Sequence, residues 1–393
     1  MKSLLQITEA INENLSQEEL LQRYQDLLTI DLGIGKFLFN KFEDSWRCIL
    51  QSGDVHDAVQ KINVETDLLC FSDITSITSS PIEALSGFDI IIPVIHKNKP
   101  IAFVIIGDID EEGEGLSPTI KHLTFVQTLS NIIIVAIENI RLFKELLRQE
   151  ALKKELELAS KMQSMLIPNN SFLPNNEKMH ISAFYFPHLE VGGDYYDYIE
   201  LSKDEFGFCI SDVSGKGMSA ALLMSNFQAN LRALFTHEIS LAALIEELNK
   251  RVMHSTKGEK FITLFVARFN FKTRELEYIN AGHNQPIMYQ KKSKEMRFLT
   301  KGCVGLGMLD EIPMIRKGSI TIEEPSKILC YTDGLIELLD GKGVTFGTQE
   351  IEQCILNEST IDENITDIIK KQGIQDGNTA IFDDISILGI ELF

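Results

Sequence analysis

Four short acidic strings in the C-terminal half of the chain combine aspartate with Gly, Ser or a second Asp: VGGDYYDY at 191–198, SDVSGKG at 211–217, YTDG at 331–334 and FDDIS at 382–386. An aspartate at a strand end, followed by Gly or Ser in a tight turn, projects its carboxylate from a sheet edge with neighbouring carbonyls turned the same way. Several such turns meeting in one pocket crowd carboxylates that raise each other's pKa until cations neutralise them. All-oxygen ligands select hard ions, Mg2+ or Mn2+ rather than Zn2+ or copper. Two such ions about 3.5–4 Å apart share a water, lower its pKa and aim it in line at phosphorus, with no covalent phosphoenzyme. A single Asp-Gly is an ordinary turn; four acidic motifs in this order point to chemistry.

The elements that must position these turns follow from hydrophobic periodicity. From Ile181 onward, short strands are expected at Phe206–Val213, Phe261–Phe269, Leu276–Asn280, Ile328–Tyr331 and Ile385–Ile390, with helices at Ser219–Thr236 and Ser240–His254, an alternation that fits a β-sandwich flanked by helices. Upstream, Leu4 to about Leu32 carries helical spacing, and short β-like runs begin at Lys36. Residues 88–109 read as two strands joined at Lys97-Asn98-Lys99, and a helix is expected from Pro118 to about Ile137. No Gly or Pro interrupts the chain from Asn139 to Pro168, where Leu152, Leu156, Ala159, Met162 and Leu166 form an apolar stripe. That linker helix either packs on its own catalytic domain or pairs with a second copy, dimerising the chain and carrying signal. The expected fold class is α+β: a sensory domain over 1–139, a linker helix over 140–170 and a catalytic domain over 171–393.

Bulk properties narrow the partners. A chain of 393 residues is too long for one ordinary core. A formal charge of −20 repels nucleic-acid backbones and anionic lipid, so neither is an expected partner. The six cysteines are far apart, without a CxxC pair, and read as buried thiols in a reducing compartment. The N-terminus builds no apolar signal region and no apolar run approaches the ~20 residues of a membrane span, so a cytoplasmic protein is expected.

The order GGDYYDY, DVSGKG, ITLFVARF (262–269), NAGHNQP (280–286), YTDGLIE (331–337) and DDIS resembles the SpoIIE-like serine phosphatases of sigma-factor partner switching, relatives of protein phosphatase 2C, over about residues 150–393. The strand, polar turn and strand of 88–109 resemble the late hairpin of a GAF sensor domain. The first resemblance implies a protein serine/threonine phosphatase holding two Mn2+ or Mg2+ ions through Asp194, Asp212, Asp333 and the pair Asp383 and Asp384, with the backbone carbonyl of Val213 as a further ligand. Asp194, Asp212 and Asp333 then carry catalysis, and Asp212 is expected to bridge the ions. Related enzymes carry Asp-Asn where this chain has Asp383-Asp384, which favours Asp383 as the ligand and leaves Asp384 as the second choice.

The implied substrate is a phosphorylated anti-sigma-factor antagonist, and the implied control is a sensor acting through the linker, with a homodimer possible through sensor and linker. An arginine that usually clamps phosphate ahead of the first motif is missing: Phe184, Tyr185 and Phe186 stand there. Lys216 is a replacement clamp or a solvated lysine, and His283 a general acid or a turn-former. Gly302–Met308 reads as a turn, lacking the Lys-Ser/Thr of a P-loop. Two competing readings are a diguanylate cyclase, which the later TDG and DD motifs oppose, and a catalytically inactive scaffold of the same architecture, which the intact acidic motifs oppose.

Overall fold

The computed structural model describes residues 16–77, 82–96, 99–109, 123–339, 345–374 and 381–393. The chain divides into two compact units, Met1–Ala151 and Leu152–Phe393.

In the first unit, helix α1 (Gln17–Asp26) starts at a capping box, Ser16 with Glu19, and continues into a π turn at Leu27–Asp31. Strands β1 (Ile34–Phe42), β2 (Trp46–Ser52), β3 (Thr75–Ser76), β4 (Ile90–His96) and β5 (Lys99–Ile109) form an antiparallel sheet in the order β2-β1-β5-β4-β3. Helices α2 (His56–Lys61) and α3 (Val64–Asp67) lie between β2 and β3 in sequence. Side chains alternate across the sheet, as the two-residue strand period requires. Phe37, Phe39, Ile92, Val104 and Ile106 pack with α1 and helix α4 (Leu123–Ser164), whereas Leu38, Ile91, Phe103 and Ile105 pack with Val64, Leu68 and Leu85. The Lys97-Asn98 turn, the Pro118 helix start and residues 4–15 lie outside the described residues.

Helix α4 corrects one expectation. The domain-closing helix and the linker helix, expected as two, are one element of 42 residues, because nothing between Leu123 and Ser164 is Gly or Pro. By length and composition α4 is apolar enough to cross a membrane, yet Val126, Leu129, Ile133, Ile134 and Ile137 are buried in the first unit's core.

The second unit is built on two sheets. Strands β6 (Met179–Phe186), β7 (Tyr195–Ser202), β8 (Glu205–Val213), β9 (Ile262–Asn270), β10 (Glu275–Ala281), β11 (Ile287–Gln290), β12 (Met296–Phe298), β13 (Gly302–Cys303), β14 (Gly318–Thr321), β15 (Ser326–Tyr331) and β16 (Ile385–Leu392) divide between them. One sheet runs β13-β10-β9-β8-β7, with β14 also on β10; the other runs β12-β11-β15-β16-β6. Helices α5 (Met218–Leu234) and α6 (Leu241–Thr256) pack on the first sheet. Helices α7 (Asp333–Ile336), α8 (Gln349–Ile355) and α9 (Ile361–Lys371) accompany the second.

Strands β15 and β16 are apolar on both faces because both faces are covered. Ile328, Cys330, Leu388 and Ile390 join the core shared with the first sheet, α5 and α6; their alternates Leu329, Tyr331, Ile385 and Ile387 join the core under α7, α8 and α9. Cys209, Cys330 and Cys354 are buried as expected, but Cys70 is exposed and Cys48 and Cys303 are half-buried, which corrects the reading of all six as buried.

Candidate active site

Each acidic motif sits where a strand meets a loop. Asp194 immediately precedes β7, Asp212 is the penultimate residue of β8, Asp333 opens α7 two residues beyond β15, and Asp383 and Asp384 immediately precede β16. The strands belong to both sheets, so the loops meet where the sheets' ends come together. Thr332 Oγ1 donates to Asp194 Oδ2 at 2.8 Å, and Gly193 N donates to Asp384 Oδ2 at 2.6 Å. Asp384 also accepts from His188 N at 2.8 Å, so both its oxygens hold the loop that carries the GGD string. Asp383 points elsewhere: Lys216 Nζ lies 2.9 Å from its Oδ2 and also donates to the Phe382 carbonyl.

The cluster is electrostatically frustrated. Burial, then the charges of Asp333, Asp383 and Asp384, lift Asp212 to about 7, partly offset by a hydrogen bond with Asp194. Burial, then Asp212 and Asp384, hold Asp194 well above the usual carboxylate range; it is 1% exposed. Burial, then Glu337 and Asp383, raise Asp333. Asp384 is raised by burial first, opposed by the His188 and Gly193 amides.

The glycines of the first motif are there because the backbone is approached closely. A Cβ on Gly192 would stand 2.4 Å from both Asp384 Oδ2 and the Tyr185 hydroxyl, and one on Gly193 would stand 3.0 Å from the Val213 carbonyl oxygen. That carbonyl therefore borders the Asp194 loop, where the sequence reading put a ligand oxygen.

Two residues and one segment singled out from sequence have definite partners. Lys216 is ion-paired with Asp383 and its side chain is 44% exposed, so it is a solvent-exposed lysine with a carboxylate partner. His283 Nδ1 pairs with Thr263 Oγ1 at 2.8 Å, and Thr263 stands opposite Asp212 in the β8–β9 register. Burial pushes the His283 imidazole down to about 3, so it is neutral near pH 7 and unsuited to act as a general acid. Gly302–Met308 contains the short strand β13 and a bridge from Leu306 to Ile262, as a turn segment would.

Other residues escaped the sequence reading. Asp197, fully buried, receives two hydrogen bonds from Arg232 at 2.7 and 2.8 Å and one from the Tyr195 hydroxyl, tying α5 to β7. Its signal was the second Asp of GGDYYDY, masked by the first. The Tyr185 hydroxyl is buried beside Asp384 and Asp194 with no hydrogen-bond partner among the described residues; burial and those charges push it up. Gln163, near the end of α4, bonds both backbone groups of Gly192; one residue off the apolar stripe, it carried no periodic signal.

The donors fit hard divalent cations: carboxylate oxygens, a bordering carbonyl and no nitrogen or sulfur ligand set. Among the described residues, no group of three or more His, Cys, Asp or Glu side chains stands close enough together to hold a metal ion as placed. That is how bare carboxylates that repel one another stand, and waters commonly complete Mg2+ shells.

Two helix-flanked sheets with acidic loops at their common end define the protein phosphatase 2C class of fold. The solved SiaA-PP2C domain of Pseudomonas aeruginosa superposes with a TM-score of 0.54 at 20% identity, covering 63% of this chain and 99% of that one. Residues 202–393 match the family described as Stage II sporulation protein E (SpoIIE), and this part of the chain is a SpoIIE-family, protein phosphatase 2C-type domain. Phosphoserine phosphatase RsbU of Bacillus subtilis (strain 168) is 28% identical over 189 residues, 48% of this chain and 55% of RsbU. Phosphoserine phosphatase RsbP of the same organism is 25% identical over 189 residues, 47% of this chain and 46% of RsbP. The chain thus spans about half the length of these relatives.

Proposed function

We propose that the chain is a metal-dependent protein serine/threonine phosphatase that hydrolyses phosphoserine or phosphothreonine on a regulatory protein of the anti-sigma-factor-antagonist type. The observation that carries this reading is the convergence of Asp194, Asp212, Asp333 and Asp383 from four loops into one frustrated acidic pocket. Asp194, Asp212, Asp333, Asp383 and the Val213 carbonyl would hold two Mg2+ or Mn2+ ions. Asp384 serves instead as the buckle of the GGD loop, since both its oxygens are taken by backbone amides. When bound, the cations neutralise the phosphate and make a water nucleophilic at neutral pH. Thr332 orients Asp194 from beneath, and Lys216 holds Asp383 at the rim.

In this reading residues 171–393 form the catalytic domain and 140–170 the linker. Residues 1–139 form a GAF-like sensor whose five-stranded sheet is covered on both faces. Leu142, Leu146, Leu152 and Leu158 are exposed on α4, which supports a homodimer through the sensor and linker. A cytoplasmic location accompanies a partner-switching role.

The test is hydrolysis of p-nitrophenyl phosphate and of a phosphoserine peptide, with EDTA and then with Mn2+ or Mg2+, alongside Asp212→Asn. Turnover that needs metal and vanishes in the variant supports the reading. Metal-independent turnover, or a fully active variant, overturns it. A wild type inactive with every metal, both as full chain and as residues 150–393, favours the inactive scaffold.

A further inference from the structure

Exposed apolar side chains gather round one turn of the second unit. The turn is 214–217, which begins immediately after Val213 and so borders the acidic pocket. Phe261, the residue before β9, exchanges hydrogen bonds with Ser214: its carbonyl accepts from Ser214 N at 2.9 Å, and its amide donates to Ser214 Oγ at 2.9 Å. The Phe382 carbonyl, just before the DDIS aspartates, accepts from Lys216 Nζ. Leu189, on the GGD loop, brings its Cδ1 to 3.9 Å from the place a Cβ on Gly217 would take. Met218 follows Gly217 as the first residue of α5, and Leu222 lies one turn further along the same helix face.

Leu222 is 65% exposed, Phe382 50% and Leu189 43%, with Met218 and Phe261 close behind. None of the five joins either core of the second unit. Single exposed apolar residues are ordinary on any surface, but a contiguous set edged by polar groups marks an interaction site. The occupant follows from the pocket that this set adjoins. A phosphomonoester whose phosphorus reaches the carboxylates lays the residues flanking its serine across the loops that carry them. Charge gives such a ligand no help at long range, because the chain carries −20 and phosphate is itself an anion. Of the two lysines at the turn, Lys216 is paired with Asp383 and Lys260 donates to the Ser214 carbonyl. Contact with flanking apolar side chains is the source of affinity that these loops offer.

We propose that this apolar collar is the docking surface for a protein substrate whose phosphoserine is flanked by large apolar side chains, and that it selects such substrates over polar-flanked ones. The inference deepens the phosphatase reading and rests on it.

The test uses the full chain with Met218→Gln and Leu222→Gln, and with Leu356→Gln, exposed at the end of α8, as the control. The probes are p-nitrophenyl phosphate and two phosphoserine peptides, one with Leu on each side of the phosphoserine and one with Ser there, all with Mn2+. For the Leu peptide, kcat/KM should fall about tenfold in Leu222→Gln, mostly through KM, the size of losing one partly buried aliphatic contact. The Ser peptide and p-nitrophenyl phosphate should be turned over as by wild type, and Leu356→Gln should match wild type on all three. The proposal is overturned if wild type does not prefer the Leu peptide, if both collar variants hydrolyse it as wild type does, or if they lose p-nitrophenyl phosphate turnover to the same extent. A wild type inactive on every probe sinks the phosphatase reading alone, and binding of the fluorescein-labelled Leu peptide, read by anisotropy, then judges the collar. Binding about tenfold weaker in Leu222→Gln upholds it. Equal binding, or none to wild type, overturns it.

Discussion

The carboxylate cluster makes a quantitative claim about stability in the absence of metal, and Asp212→Asn tests it. Asp212 titrates at about 7 when folded, against about 3.9 for an unperturbed aspartate. The folded state therefore holds this proton more tightly than the unfolded chain. The associated stability is fully present below about pH 4 and is lost as the pH rises through 7. A shift of about three units at about 1.36 kcal/mol per unit makes the whole effect about 4 kcal/mol. Asparagine cannot titrate, so in EDTA the stability of wild type relative to Asp212→Asn should fall by that order between pH 4 and pH 8. At pH 8, Mn2+ at a hundred times its dissociation constant should return about 2.7 kcal/mol to wild type and little to the variant. Urea unfolding followed by far-UV circular dichroism reads the effect. Trp46, the single tryptophan, lies on β2 of the first unit, so its fluorescence transition reports that unit alone and is the internal control. A stability difference that stays flat from pH 4 to pH 8 would show that Asp212 is not crowded by its neighbours, and the argument for a cation site would fall with it.

Three further outcomes separate roles within the cluster. Asp384→Ala should lower stability by about 2–4 kcal/mol, since it strands the His188 and Gly193 amides, whereas Asp383→Asn should change stability by less than about 1 kcal/mol yet abolish metal-dependent hydrolysis. Paired urea melts and phosphatase assays distinguish the two; equal effects would overturn the division of labour. Gly193→Ala should cost about 1–3 kcal/mol and weaken Mn2+ binding, because its Cβ must displace the Val213 carbonyl, as melts and calorimetry would reveal. Arg232→Ala should cost about 2–4 kcal/mol by leaving Asp197 buried with the Tyr195 hydroxyl and the Tyr198 amide but no positive partner, less than for a fully buried pair because the arginine is half-exposed. Thermal unfolding measures it, and an unchanged midpoint would refute it.

Much of this was legible in the chain. Strand period, turn residues and the order of the acidic motifs placed the elements of the second unit, because an alternating strand declares its faces locally and an Asp-Gly turn declares its bend. The strands around Phe206, Ile262 and Ile385 and the helices near 219 and 240 came out within a few residues of their observed limits. The break expected near Asn139 did not: apolar residues stop being buried along α4, but the helix does not stop, since loss of packing is not a helix terminator.

Tertiary structure alone decided which aspartate of a pair faces which partner. Asp383 and Asp384 are adjacent and chemically identical, and only the approach of the 188–193 loop assigns one to backbone amides and the other to Lys216. Likewise, no periodicity marks Gln163, whose partner is 29 residues away and has no side chain. Local sequence carries the existence of the acidic turns and their order. Where their carboxylates point depended on contacts between residues as far as 196 positions apart, which local pattern does not encode.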